Sequence, residues 1–334
     1  MAGSGIAGSV GVASEGGGYG VYTAPGRFYE ADSSNLKKVK NVAQADGLAA
    51  GRFVELGSQR IVTTQAAAGD LNLNVLTKGF GLMLLHLLGG SVTPVQQAAT
   101  AAYLQTFALG DNGGKSLTIQ NGLPQANSSG TVYPYTFQGC KILSAEFSCA
   151  VDGLLTAKIT FDSQQVVETQ TLAAPSYVTG TWPFHFGIMG VKLGAFGSEG
   201  TPLGVRKVTI KLERPQRIDR FYGNGGGLKS EPLWNGHFNI SGSFDVDFVN
   251  KTDFADRFAA DTSASLIWEF VGPTAIASTY FPTFRIRVPQ IFLNGDGQTL
   301  DGQDVLTQTY PFVGKFDGAN SPVTVEYMST DTVV

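Results

Sequence analysis

Along residues 69–80, GDLNLNVLTKGF, apolar and polar positions alternate. Leu71, Leu73 and Val75 fall on one face of a strand, and Asp70, Asn72 and Asn74 on the other. From Lys78 to Leu88 the period lengthens to that of a helix, which Gly89-Gly90 stops. Apolar residues cover most of that helix's circumference, which predicts deep burial. The same move recurs 173 positions later at 242–253, GSFDVDFVNKTD. A strand over 237–249 places Phe238, Ile240, Phe244, Val246 and Phe248 on one face, with Asn239, Ser241, Ser243, Asp245 and Asp247 facing away. A helix from Asp253 to Ala260 follows, with Phe254 and Phe258 four apart on one side.

Strand patterns also cover 36–42, 51–62, 102–109 and 115–120, and the turn-rich stretch 121–134 reads as a long projecting loop. Residues 140–161 predict a hairpin. Leu143, Ala145, Phe147, Cys149 and Val151 share a face on one arm, and Leu155, Ala157, Ile159 and Phe161 on the other. A three-residue turn at 152–154 keeps both sets on one side, pairing Val151 with Leu155 and Phe147 with Ile159. Further strands are predicted at 205–213, 264–271, 281–288 and 305–313. DVLTQTYPF (304–312) repeats GLLTAKITF (153–161) 151 positions on, with Leu-Thr in register and the closing Phe aligned.

Both halves therefore run strand, helix, strand, loop, strand, strand. This order predicts a mainly β chain of two tandem domains, residues 31–175 and 205–334, each with one flanking helix. A Gly/Pro-rich segment, 176–204, joins them. A Gly- and Ala-rich arm, 1–30, precedes them and is expected to lie outside the packed layers.

Composition narrows the chemistry. Charged residues are 15% of the chain, 43 of 334 residues are Gly, and the net charge is −4. Nothing here resembles the clustered Lys and Arg that hold phosphates. Few charges with abundant Thr, Ser, Asn and Gln suit a surface buried against copies of the same chain, and equally a monomer with a neutral polar surface. The strongest apolar run, FGLMLLHLLGG (80–90), is too short for a membrane span. The N-terminus has neither the basic start nor the apolar core of a signal peptide, so the product is expected to be made and used without secretion.

Cys140 and Cys149, if on one strand, face opposite ways about 30 Å apart, which excludes a disulfide and leaves two small buried residues. His86 reads as a core residue, His185 in WPFHFG as packed among aromatics, and His237 as the start of a strand. No nucleophile elbow, zinc-protease or phosphate-loop motif is present, so no enzyme and no cofactor is expected. Asp296, Asp301 and Asp304 in NGDGQTLDGQD have a faint calcium-loop spacing but lack its full pattern. A turn-rich surface loop is the expectation for 294–304.

GVASEGGGYGVYTAPGRFYE (11–30) and KLERPQ (211–216), with the strand-then-helix unit and paired hairpins, resemble the tail tube proteins of long-tailed, non-contractile bacteriophages. The resemblance implies a β-sandwich or barrel with a flanking helix. It also implies self-assembly into stacked rings whose inner sheets line a lumen that conducts double-stranded DNA during ejection. A chain with two copies of the fold would build a pseudo-sixfold ring from three subunits, where single-copy members use six. The implied partners are other rings, the tape measure protein, and tail tip and terminator proteins. The implied location is the virion tail, assembled in the bacterial host cytoplasm.

In that setting Asn72, Asn74, Asp245 and Asp247 are candidates for lumen lining, the aspartates keeping DNA off the wall; an ordinary solvent-facing strand is the alternative. Loops 111–136 and 216–236, with the arm, are candidate contacts between rings, represented by Tyr19, Tyr22, Asn121, Asn127, Asn224 and Lys229. Three other roles share parts of this pattern: a distal tail or baseplate ring protein of the same fold, a head decoration protein, and a polysaccharide-binding sandwich. The last would expose aromatics along a groove, whereas here they occupy alternating core positions.

Overall fold

The structure, a computed structural model of the chain, describes residues 5–125, 130–201, 204–295, 303 and 305–334. The first half contains β1 (Ser9–Ser14), β2 (Arg27–Tyr29), β3 (Ala31–Ser34), β4 (Lys37–Gln44), β5 (Arg60–Asn74), α1 (Gly81–Leu88), β6 (Val95–Gln96), β7 (Tyr103–Ala108), β8 (Leu117–Pro124), β9 (Val132–Ala150), β10 (Thr156–Ser163) and β11 (Gln165–Val167). The second contains β12 (Met189–Ala195), β13 (Ser198–Gly200), β14 (Val205–Glu213), β15 (Gln216–Arg217), β16 (Leu233–Trp234), β17 (Asn239–Asp247), α2 (Ala255–Ala259), β18 (Ala264–Val271), β19 (Thr283–Leu293), β20 (Thr307–Gly314) and β21 (Thr324–Ser329). The chain is mainly β with two α-helices, as the alternating patterns predict.

One antiparallel sheet crosses both halves in the order β3/β4, β5, β10, β9, β14, β17, β20. The N-terminal part of β9 continues into a second layer, pairing with β8 and β11, while β8 pairs with β1 and β1 with β2. At the other end β19 pairs with β20, β18 and β21, β18 with β12, and β21 with β7. Among the described residues no run of ladders returns to its start, so no sheet closes into a barrel within one chain.

The apolar faces of these strands meet in one core that spans both halves. At its centre the rings of Phe80, Phe147, Phe184 and Phe284 stack edge-on or tilted, with centroids 5.6 to 6.4 Å apart. Burying four such rings contributes on the order of 2 kcal/mol each. Seven of the eight α1 residues are buried, in agreement with its near-complete apolar circumference. Gly89 ends the helix at φ +77°, where a Cβ would stand 2.4 Å from the Gly110 carbonyl oxygen.

The two glycines that open the repeated pattern have a shared cause. A Cβ on Gly69 would come within 2.7 Å of the Asn35 carbonyl oxygen, and one on Gly242 within 2.2 Å of the Thr209 carbonyl oxygen. Each lies opposite a phenylalanine, Phe161 and Phe312 respectively. At both positions glycine lets the neighbouring backbone approach, and at Gly242 the Phe312 ring approaches as well.

Several expectations change. Residues 51–59 are not strand, and β5 begins only at Arg60. The first helix starts at Gly81 rather than Lys78, and the second covers Ala255–Ala259. Both ends of the expected projecting loop 121–134 are strand, because β8 runs to Pro124 and β9 starts at Val132; residues 126–129 lie outside the described residues. The β9–β10 hairpin pairs Phe147 with Ala157, not Ile159. Its turn is wider because Val151 donates to Arg206 and Leu155 to Phe184, so these residues are held by other segments; Val151 is 41% exposed. A bulge beside Leu143 then flips the phase of β9, bringing Cys140 and Ile142 into the core along with Ala145 and Phe147. The arm is likewise packed in part: β1 pairs with β8 from Ser9 to Ser14, and Val12 is fully buried.

Candidate functional site

The four residues expected to line a lumen come together. β9 and β14 pair from Ser144↔Glu213 to Ala150↔Lys207, so the polar faces of both halves form one surface. Asn72 and Asn74 on β5 and Asp245 and Asp247 on β17 all lie on it, opposite the buried Leu71, Leu73, Phe244 and Val246. Ser144, Glu146 and Ser148 of β9, Lys158 of β10 and Lys207, Thr209 and Lys211 of β14 fill the space between.

This surface is polar and charge-compensated, which corrects the expectation of an acidic wall. Asp247 is 3.3 Å from Arg206, Asp245 is 3.8 Å from Lys207, and Asp70 is 3.6 Å from Lys158. The side-chain amides of Asn72 and Asn74 donate to Ser33 Oγ (2.7 Å) and Asp32 Oδ1 (3.0 Å). Hydrogen bonding to Thr160 is the main cause that holds the Asp70 carboxyl below its ordinary range. With its cations each beside a carboxylate, such a face offers few free charges to phosphates.

The candidate contacts between rings divide. Asn224 is exposed and Tyr22 partly so, both open to a partner. Asn121 is 7% exposed and donates to Ser34 Oγ, and Asn127 lies outside the described residues. Lys229 is a correction: it is 3% exposed, and its ammonium is committed to Asp162 inside the chain. Burial raises the Asp162 carboxyl against the opposing pull of that ammonium. The Tyr19 hydroxyl is buried beside this pair and finds no hydrogen-bond partner among the described residues; burial and the Asp162 charge push its pKa up. Asp296, Asp301 and Asp304 lie outside the described residues.

Lys229 belongs to a connection, 214–238, that leaves β14 and lies across the first half. Arg214, in the KLERPQ stretch, is 1% exposed and donates to the carbonyl oxygens of Leu88 (2.8 Å), Leu87 (3.2 Å) and Gly110 (3.0 Å). It thereby caps the C-terminal end of α1, where the helix dipole favours a cation. Its guanidinium sits 4.4 Å above the Trp234 ring, and burial pushes its pKa down to about 10. Glu231 meets the buried Lys141 and accepts from the Gly114 amide at 2.8 Å.

Sequence reasoning missed the other long connection. β4 and β5 form a hairpin whose tip, 45–59, carries Leu48, Phe53 (99% exposed) and Val54, with Ile61 exposed at its base. The signal was present in LAAGRFVEL (48–56), read as strand material instead of a tip.

Nothing in this arrangement points to catalysis. His86 is buried against Ser14 Oγ (3.1 Å), and burial lowers its pKa to about 3. Both cysteines are free and buried. Among the described residues no group of three His, Cys, Asp or Glu is placed to hold a metal, and no helix is long and apolar enough to cross a membrane. No curated protein matches the chain. A family model does, described as phage tail tube protein and covering residues 5–314. The continuous two-half sheet with a polar face is thus the framework of a structural, non-catalytic virion component, and the chain belongs to the phage tail tube protein family.

Proposed function

We propose that this chain is a tandem duplication of one tube fold, and that three copies close into a pseudo-sixfold ring that stacks into the tail tube. Repeated strand registers carry the reading. Asn72 pairs with Lys158 and Asp245 with Thr309, and the steps between them are the 173 and 151 positions of the two sequence repeats. The irregularities repeat as well. β8–β9 slips between Leu117↔Cys140 and Ile119↔Phe137, and β18–β19 between Ala264↔Ile291 and Leu266↔Val288. β3–β5 slips between Ala31 and Ser33, and β14–β17 between Val205 and Lys207. Shared slips of this kind are not required by alternation, which any two hairpins have.

The chain order supports the same division. β1, β2, β3, β5, α1, β8, β9, β10 and β11 are followed by β12, β13, β14, β17, α2, β18, β19, β20 and β21 in equivalent roles. A short 3-10 turn precedes β1 at Gly5–Ala7 and β12 at Phe186–Ile188. On this reading the repeats run from 5 to 167 and from 186 to 329. The arm and the 176–204 segment then supply the first strands of each repeat, which moves the expected domain boundaries.

Joined side by side by β9 and β14, two repeats make one third of a ring, and repetition of that junction around a closed symmetry leaves no exposed sheet edge. The polar face bearing Asn72, Asn74, Asp245 and Asp247 is assigned to the lumen, where a compensated surface lets DNA slide. The exposed hairpin tip 45–59, with Tyr22 and Asn224, is assigned to stacking. The tape measure, tail tip and terminator proteins are the corresponding tail partners, assembled with the tube in the host cytoplasm.

Negative-stain electron microscopy of concentrated protein, with rotational averaging of end-on views, tests this. Hollow tubes whose rings show three strong and three weak lobes are expected. Strictly sixfold rings of six chains would overturn the trimer, and rings that never stack would move the protein to the distal tail.

A further inference from the structure

The junction between the repeats is visible inside one chain, so it serves as a template for the contact between chains. In that template β14 lies beside β9, and Arg214, the residue directly after β14, caps the C-terminal end of α1 in the other repeat. The counterpart of β14 in the first repeat is the β3–β4 strand. Ser33 pairs with Asn72 as Lys207 pairs with Asp245, a step of 174 positions, and the same step leads from Arg214 to Lys40. In the single chain, β3 and β4 pair only with β5 among the described residues, so their other edge is open.

We propose that this open edge docks beside β19 of the next subunit, with the Lys40 ammonium at the C-terminal end of that subunit's α2. The inference rests on the ring reading above and names the contact that closes it. Charge favours the match. Lys37, Lys38 and Lys40 are exposed, and none forms an ion pair among the described residues. The receiving end of α2 presents Ala259, Ala260 and the Asp261 carboxylate, all exposed. A cation there meets the carbonyl end of a short helix, where the Ala259 oxygen lies beside carbonyls of Arg257 and Phe258 that already accept from the Thr262 and Asp261 amides. It also meets one acidic side chain, as Arg214 meets Leu87, Leu88 and Gly110. The rival account of edge lysines is that they keep an open strand from pairing at all, and it predicts the opposite results below.

The experiment uses the full chain carrying Lys40→Cys and Ala260→Cys. Both positions are exposed, and native Cys140 and Cys149 are buried, so background reaction with thiol reagents is low. Assembled protein is treated with a short bis-maleimide and run under denaturing conditions. A ladder of two and three linked chains, ending at three and absent from either single variant, is expected. A ladder ending at six marks six-chain rings and overturns the trimer reading, whereas a ladder with no fixed end places the contact between rings and overturns the proposal, as does an absence of links in protein that forms rings by microscopy. A wild-type chain that never forms rings overturns the ring reading itself. In parallel, Lys40→Glu is expected to raise the concentration needed for assembly at least tenfold while leaving the circular dichroism spectrum unchanged, and Lys40→Arg to assemble like wild type. A Lys40→Glu chain that assembles at the wild-type concentration would also overturn the proposal.

Discussion

The connection from β14 to β17 and that from β4 to β5 hold the same place in the strand order, yet one is docked and the other stands clear. The first, 214–238, places Arg214 and Lys229 in the interior, each facing oxygen atoms of the first half. The second, 45–59, leaves Leu48, Phe53 and Val54 in solvent. What differs is the availability of a receiving surface. Where the neighbouring half belongs to the same chain, charges are buried and satisfied. The 45–59 tip has no such neighbour in its own chain and keeps its apolar cluster exposed, which under the ring proposed above another molecule would cover. Docking through buried charge also requires a fixed partner, because a cation removed from water without its acceptors costs several kcal/mol.

The sharpest way to break the comparison is at Arg214. Arg214→Ala removes the donor to three carbonyls at once and empties the space under Trp234, and the unsatisfied acceptors and lost packing are expected to cost about 3–5 kcal/mol. Arg214→Lys is expected to recover only part of this, since one ammonium cannot span the acceptors that a planar guanidinium reaches. Denaturant midpoints of the two variants check both statements. A loss under about 1 kcal/mol for Arg214→Ala would mean that the connection is held elsewhere.

A smaller effect is expected at the Lys229–Asp162 pair. Lys229→Met strands a carboxylate and is expected to cost about 3 kcal/mol, whereas Lys229→Met with Asp162→Asn together removes both charges and costs less than the two single changes combined. The coupling energy is read from equilibrium unfolding of all four proteins. Simple additivity would show that the ion pair does not anchor the connection.

How far the sequence led follows from where the determinants lie. β14 and β18 match their expected bounds, 205–213 and 264–271, because alternation or a continuous apolar run is complete within each segment. The alternation in the two sequence anchors of the proposed repeat, at 69–80 and 242–253, was legible for the same reason. β1 was not: SVGVAS is short and glycine-bearing, and its strand partner lies more than 100 positions away at Leu117–Gly122. The bulge beside Leu143 left no mark either, since one extra residue within an apolar stretch changes the face without changing composition. Lys229 sits in GGGLKSEP, which reads as a solvated loop, and only the fold brings Asp162 to it. In KLERPQ the resemblance pointed to the right residues, but the role of Arg214 as a helix cap came from the geometry.

The smallest expected effect tests the other side of the comparison. If the 45–59 tip has no receiving surface within its own chain, replacing its apolar side chains should leave the isolated subunit untouched. Leu48→Ser with Phe53→Ser is expected to change unfolding stability by less than about 0.5 kcal/mol, as for other exposed positions. The same double variant should stop at single rings where wild type forms tubes, because stacking loses two large apolar side chains per subunit, each worth roughly 2 kcal/mol when buried. Sedimentation velocity separates the two states. A variant that unfolds more easily by over 1 kcal/mol would mean that the tip packs on its own chain in solution. One that builds tubes of normal length would move the stacking contact away from the tip and onto Tyr22 and Asn224.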